Sequence, residues 1–376
     1  MKKGTGTVRK RGNTWYYRYY DENGKRVEKA GGTTKTAALK KLNEEVNLMI
    51  KGVIRTEDIG LIDFLEMWVE DYIKDERSEN TYYKYKGSIE KIATGLGNLK
   101  LDDLKVIHIE KYLRFLKKSG LNSTSVQFHF GVLKNALNKA IKLQMLNDNP
   151  CKYIDTPKRE KFKANILTLE EFYTIYNSLN NDVYEDYIFK LALDLSIETG
   201  LRRGEMAGLP WSNINFTENY IIIDQALIRI ENEYKISKLK TESSYRKLPI
   251  SESLTLTLKE HKKKQQLNKL KYGEFYNDKY KDLVFTWENG NFIIPSNFLQ
   301  RIKRLCKYHG IEKNIRWHDL RHTNATLLLE GGVDMKTLQE RLGHSLMQTT
   351  SDIYSHVTEK MNRKATDVIS NILKVK

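Results

Sequence analysis

The sequence predicts a multidomain α+β protein: a small three-stranded sheet packed on one helix, a four-helix domain, and a mainly helical domain with a small β-sheet. Three observations lead there. At 376 residues the chain is too long for one ordinary domain. An aromatic and β-branched run near the start has strand composition, whereas most of the remaining chain repeats apolar residues at helical spacing. A polar, basic stretch without periodicity, residues 156–166, separates two such helical regions.

Taken in order, residues 1–55 form the first module. Thr14 to Tyr20, TWYYRYY, is a strand, and the Asn23-Gly24 pair after it is a strong hairpin signal. Lys25 to Ala30 is its partner, and Val8 to Arg11 a third strand. Thr33 to Ile50 follows as a helix with Ala38, Leu42, Val46 and Met49 or Ile50 on one face. Residues 60–155 hold four helices. The first carries Phe64-Leu65, Trp68-Val69 and Tyr72-Ile73 at three- and four-residue spacing. The second, Ser78 to Ile92, has Ser78 or Asn80 as N-cap, and the third, Val106 to Ser119, ends at Gly120. The fourth is capped by Asn122 and stopped by Asn149-Pro150. Beyond the 156–166 linker, Thr168-Leu169-Glu170-Glu171 has the form of a capping box and opens a last domain, 167–376. There an apolar helix, Tyr187 to Thr199, precedes a strand from Tyr220 to Ile230. A turn at Asn232-Glu233 leads to a second strand, Tyr234 to Lys240, and Arg246 to Ile250 adds a third. The remainder is mostly helical.

The formal net charge is +16, which makes a polyanion the leading partner. Residues 1–55 hold fourteen Lys and Arg against five Asp and Glu, so over half of that excess sits in under a sixth of the chain. A small sheet with basic residues on its open face can lie in a DNA groove. The two cysteines, Cys151 and Cys306, are far apart, which argues against a disulfide framework or a zinc site. No apolar run reaches the ~18 residues of a membrane span, and the basic N-terminus lacks a signal-peptide core, so a cytoplasmic protein with no membrane partner is expected.

The chemistry concentrates between Trp317 and His356. His318 and Arg321 lie one helical turn apart, His344 follows Leu342-Gly343, and Tyr354 comes ten residues later. Two imidazoles, a guanidinium and a phenol in this order suit chemistry on a phosphodiester. A phenol has a pKa of roughly 10 and needs a base or cation to release its proton. Arginine is the best fixed partner for phosphoryl oxygens, and one rarely covers both. Arg202, in TGLRRGE, is the candidate for the second, and Lys240, in KLKTESSYRKLPI, for the acid that protonates the leaving oxygen. Taken singly each is weak, since lone Arg or Lys residues are usually solvated and most of the 22 tyrosines must be structural.

Together they carry a resemblance. The last ~210 residues are similar to the catalytic domain of the tyrosine recombinases, the phage and conjugative-transposon integrases: TGLRRGEMAGL resembles the family's first box, HDLRHT with LGHS and TTSDIYSHV its second, and KTESSYRKLPI its lysine hairpin. The layout resembles the family too. It implies an arm-type DNA-binding module at 1–55, a SAM-like core-binding domain at 60–155 and a catalytic domain at 167–376. The resemblance implies that Arg202 and Arg321 clamp the scissile phosphate while Tyr354 attacks it, leaving a 3′-phosphotyrosine and a free 5′-hydroxyl. Lys240 would protonate the 5′-oxygen, His318 would assist proton transfer at the tyrosine, and His344 would bond a phosphoryl oxygen. Glu205 would orient the arginines, whereas Arg203 and His322 would be supporting or surface residues. No cofactor or metal is called for, because two Arg and a Lys supply the charge stabilisation a metal would give.

The function implied is that of a site-specific recombinase integrating and excising a mobile element or prophage. Its implied partners are double-stranded DNA attachment sites of core and arm type, a homo-tetramer on DNA with the C-terminal helix, about Thr358 to Leu373, docked on a neighbour, and an excisionase and host DNA-bending protein to set direction. A type IB topoisomerase or Xer-like resolvase is the alternative, and a DNA-binding regulator with a dead site the third. The basic N-terminal module disfavours the resolvase, and the full set of six residues disfavours the regulator.

Overall fold

A computed structural model describes residues 6–20, 25–158, 165–231, 233–239 and 244–343, apart from 51–58 and the side chains of 47–50, together with Thr366 and Ser370. It divides into two compact units, Met1–Lys161 and Phe162–Lys376.

In the first unit, β1 (Thr7–Arg11), β2 (Thr14–Tyr20) and β3 (Arg26–Gly32) form an antiparallel sheet in that order. The strand alternation of TWYYRYY sends Tyr17 and Tyr19 to the inner face. There they cluster with Leu42 of α1 (Lys35–Ile50), beside Val8, Val27 and Val46. Tyr17 Oη donates to buried Glu45 at 3.1 Å, and burial followed by that carboxylate pushes the phenol up to about 12. On the other face Arg9 and Arg18 both donate to Glu28. The three strands are thus present, and so is the helix face as far as Ala38, Leu42 and Val46; the side chains of Met49 and Ile50 and the Asn23-Gly24 turn lie outside the described residues.

The helical part of this unit comprises α2 (Leu61–Trp68), α3 (Glu79–Leu96), α4 (Val106–Lys118) and α5 (Ser123–Lys142) around Phe64, Leu65, Ile92, Tyr112, Phe130 and Leu133. Ser78 and Asn122 act as the N-caps, accepting from the backbone N–H of Thr81 and Ser125. Two expectations need correction. The Trp68-to-Ile73 stretch continues α2 as a π-helical turn, Val69–Ile73, with Val69 and Ile73 both buried. The fourth helix ends at Lys142 rather than Asn149-Pro150: Leu143 caps it, Gln144 adopts a left-handed φ of 59°, and Met145 N–H returns to the Ala140 carbonyl. Pro150 instead starts a 3₁₀ turn, Pro150–Tyr153.

The second unit opens with α6 (Leu169–Asn177), whose capping box between Thr168 and Glu171 is made in both directions. Then come α7 (Tyr184–Thr199) and the short α8 (Arg203–Ala207). The apolar run from Tyr220 is two strands rather than one. It breaks at Asp224, which accepts from Asn213 Nδ2 at 2.6 Å, into β5 (Tyr220–Ile223) and β6 (Gln225–Ile230). These belong to different sheets: β4 (Ile214–Asn215), β5 and β8 (Arg246–Pro249) form one, and β6 with β7 (Glu233–Lys238) the other. The third strand therefore joins β5, with Tyr220 opposite Pro249, and does not extend the hairpin. Helices α9 (Glu252–Tyr272), α10 (Pro295–Tyr308), α11 (Trp317–Glu330) and α12 (Met335–Leu342) complete the described part. The C-terminal helix expected at 358–373 lies outside it, except for Thr366 and Ser370. No helix among the described residues is long and apolar enough to cross a membrane.

One packing detail positions the site. α8 lies so close on β6 that a Cβ at Gly208 would sit 2.5 Å from Leu227 N and 2.8 Å from the Ala226 carbonyl carbon. Backbone atoms cannot yield as side-chain tips can. Gly208→Ala is expected to cost about 2 kcal/mol and lower the melting temperature by roughly 4–8 °C, read by calorimetry. An unchanged melting temperature would show that α8 is free to shift.

Candidate active site

The site forms where the C-terminal ends of α7 and α12 meet. A helix leaves its last carbonyls unsatisfied and carries partial negative charge there. At α7, Gly200 closes the helix in the left-handed region, φ 66°. A Cβ on it would lie 2.6 Å from Leu342 Cδ2 and 2.8 Å from Asn324 Oδ1, so this glycine serves both the turn and the close approach of α11 and α12. Asn324 Nδ2 donates to the carbonyls of Ile197 and Glu198, and Arg341 Nη2 donates to that of Glu198.

Three arginines then cap the end of α12, one carbonyl each. Arg246 Nε donates to Arg341 O at 3.0 Å, Arg321 Nη2 donates to Leu342 O, and Arg202 Nη2 donates to Gly343 O at 3.0 Å. Arg321 also spans to α7, with Nη1 on Gly200 O at 2.8 Å. Its side chain is fully buried on α11, whose Trp317 packs on Phe189 and Phe298 to fix the helix against the core. Its Nε has no hydrogen-bond partner among the described residues.

Glu205 is the counter-charge. Its carboxylate accepts from Arg202 N and Nη1 at 2.9 and 2.7 Å, and from Arg246 Nη2 and Nη1 at 2.8 and 3.4 Å. Burial alone would raise this carboxyl, but the hydrogen bonds and charges of Arg246 and Arg202 outweigh it and hold it at about 2. One carboxylate thus faces three guanidinium groups. Burial, and next the Arg202 charge, push the Arg321 guanidinium down to about 9. Burial disfavours the charged form, and the hydrogen-bond partners of Arg321 among the described residues are backbone carbonyls rather than an anion.

His318 stands one turn before Arg321, its ring 5.0 Å from that of His322. Part of its surface is open to solvent, yet crowding by protein is the largest cause, ahead of His322, Arg321 and Arg202, that pushes it down to about 4. The surroundings of the imidazole therefore favour its neutral form. His322 is buried rather than on the surface.

Of the six residues expected in the site, Arg202, His318 and Arg321 come together here, whereas Lys240, His344 and Tyr354 lie outside the described residues. Sequence reading passed over Arg246, yet a signal existed. In RKLPI the strand period sets Arg246 on the same face as Leu248 and Ile250, and all three are buried. A charge at an inward register calls for a buried partner, and Glu205 is it.

Comparison with known proteins places this site in a family. A family model described as "Phage integrase family" matches residues 165–361, and one described as "Phage integrase, N-terminal SAM-like domain" matches residues 61–117. A "Tyrosine recombinase XerC-like" protein of Caldanaerobacter subterraneus subsp. tengcongensis is 33% identical over 372 residues, covering 94% of this chain and 94% of its own length. The "ICEBs1 integrase" of Bacillus subtilis is 27% identical, with 73% of each chain covered. The "Integrase" of Staphylococcus phage L54a is 26% identical, covering 86% of this chain and 96% of its own. Among solved structures, the Tn1549 transposon integrase in complex with transposon right end DNA aligns with a TM-score of 0.70 at 21% identity, over 83% of this chain and 100% of that one. A lambda integrase dimer bound to a core site aligns with a TM-score of 0.60 at 19% identity, over 92% and 93%. These two likenesses show the fold. With the family match spanning more than half of the residues and the first relative matched nearly end to end, the chain belongs to the phage integrase family of tyrosine recombinases and is a site-specific DNA recombinase.

Proposed function

We propose that this recombinase is an integrase that joins two DNA attachment sites by way of a 3′-phosphotyrosyl intermediate, with Tyr354 as nucleophile. The observation that carries the reading is the surplus of buried positive charge at the ends of α7 and α12, with Arg321 Nε unpartnered among the described residues. A scissile phosphate supplies the missing anion. Arg202, about a third exposed, and Arg321 then donate to its non-bridging oxygens and stabilise the charge that builds there in the transition state. Tyr354 Oη attacks phosphorus, the bond to the 5′-oxygen breaks, and Lys240 gives that oxygen a proton. His318, neutral until the phosphate arrives, takes the phenolic proton; the incoming negative charge raises its basicity as the reaction requires. His344 donates to a phosphoryl oxygen. Attack by a partner strand's 5′-hydroxyl reverses these steps and releases the tyrosine, so no external energy source is needed.

The solved lambda integrase is described as a tetramer bound to a Holliday junction, and this chain is proposed to exchange strands in the same assembly. Residues 60–155 are assigned to the core sites and residues 1–55 to the arm sites. The open face of the first sheet, with Arg11, Tyr16, Arg18, Tyr20 and Arg26, faces the arm DNA. An excisionase and a host DNA-bending protein supply the directional bias.

The test begins with nicked duplexes selected from a random-sequence library for covalent capture by the full-length chain. Capture should survive denaturant and disappear in Tyr354→Phe; capture by that variant, or none by the native chain, would overturn the reading. Arm binding should weaken steeply with salt, by about tenfold or more between 50 and 200 mM. A flat response would remove the arm assignment.

A further inference from the structure

Arg246 is buried and uses all three of its nitrogens, on the Glu205 carboxylate, the Ser244 carbonyl and the Arg341 carbonyl. Its hydrogen bonds go to Glu205 and to backbone carbonyls rather than to Arg202 or Arg321. Through Glu205, however, it shares both carboxylate oxygens with Arg202: each oxygen accepts one bond from each arginine residue. The position of the Arg202 guanidinium therefore depends on where Arg246 holds that carboxylate. The same side chain joins β8 to the end of α12, next to the carbonyls that Arg321 and Arg202 cap. A hydrophobic residue at this inward register would pack with Leu248 and Ile250 without leaving Glu205 pulled toward β8.

We propose that Arg246 is a positioning residue for strand cleavage: it holds Glu205, and through it aims the Arg202 guanidinium at the scissile phosphate. The inference rests on the reading above, in which Arg202 serves that phosphate. Without Arg246, Glu205 is free to follow Arg202 alone, and the pair turns as a unit away from the position where a phosphoryl oxygen meets it.

The experiment measures covalent capture of the selected nicked duplex by full-length wild type, Arg246→Gln and Arg246→Lys. It uses two substrates, one with the natural phosphodiester and one with a methylphosphonate at the scissile position. The methylphosphonate lacks the negative charge that the guanidinium groups neutralise, so misplacing Arg202 matters less there. Arg246→Gln is expected to slow capture of the phosphodiester by about 30-fold or more with duplex affinity within about threefold, and to lose only about threefold on the methylphosphonate. Arg246→Lys keeps a charge on Glu205 and should fall between. Losses of equal size on the two substrates would mean a purely structural role, and no loss on either would mean none; both overturn the proposal. If Arg246→Gln does not fold, the same comparison with Arg246→Lys decides. Failure of the wild-type chain to capture any duplex would instead overturn the functional reading.

Discussion

Arg321→Lys is expected to reduce the rate of covalent capture by about a thousandfold while leaving duplex affinity within a few-fold. The size reflects the role of the side chain in the fold. Arg321 is fully buried, and its two terminal nitrogens are committed to Gly200 O and Leu342 O, at the ends of two helices. A planar guanidinium can hold both carbonyls and still point further N–H groups at a phosphoryl oxygen. An ammonium has three donors on a single atom and cannot span both helix ends while also reaching the phosphate. Loss of one preorganised donor to a developing oxyanion typically costs about 10²–10³ in rate, and here a donor and part of a scaffold go together. A thousandfold corresponds to roughly 4 kcal/mol of transition-state stabilisation. Affinity should hold, because contacts to the backbone of a long duplex come from many other cations. The measurement is single-turnover capture on the nicked duplex alongside a mobility-shift titration. A variant within tenfold of the wild-type rate would show that the carbonyl contacts are the whole of Arg321's role.

How far these features were legible in the sequence depends on the range of the interactions behind them. Capping is local, so Ser78, Asn122 and the Thr168–Glu171 box were readable and are made as expected. The strand at TWYYRYY was readable from its composition too, whereas which of its faces turns inward, that of Tyr17 and Tyr19, is settled by packing on Leu42. The end of α5 was not readable, since a glutamine in the left-handed region carries no glycine signal. The pairing of β8 with β5 rather than with the hairpin is a long-range choice that joins Tyr220 to Pro249, and no local pattern declares it. Asp224 inside an apolar run was a visible hint of the strand break that continuity of hydrophobicity concealed. In the site, boxes of residue types pointed to Arg202, His318 and Arg321. The backbone carbonyls that organise them, Gly200 O and those closing α12, have no side-chain identity and leave no trace in the sequence.

Glu205→Gln should produce the largest loss of stability of any single change in the site. The carboxylate is the one anion in contact with Arg202 and Arg246 among the described residues, and it is almost wholly buried. An amide keeps the shape but removes the charge, leaving three guanidinium groups facing one another with only helix ends to offset them. Breaking a buried pair in this way costs about 3–5 kcal/mol. The pH dependence supplies a second, independent signature. The carboxyl titrates at about 2 in the folded chain against 4.5 ordinarily, so its folded value is depressed. Its contribution is then fully present above pH 4.5 and is lost as pH falls toward 2, by up to about 3 kcal/mol at 1.36 kcal/mol per unit. Glu205→Gln lacks that titration, so the stability difference between wild type and variant should shrink steadily from pH 4.5 downward. Urea midpoints at pH 7, 4.5 and 3 measure it. Added phosphate should also stabilise the variant more than the wild type, because an anion then neutralises charge that Glu205 no longer offsets. If the two midpoints coincide at pH 7, Glu205 is not the counter-charge of the arginines, and the surplus of positive charge awaiting the scissile phosphate would be one larger than the structure implies.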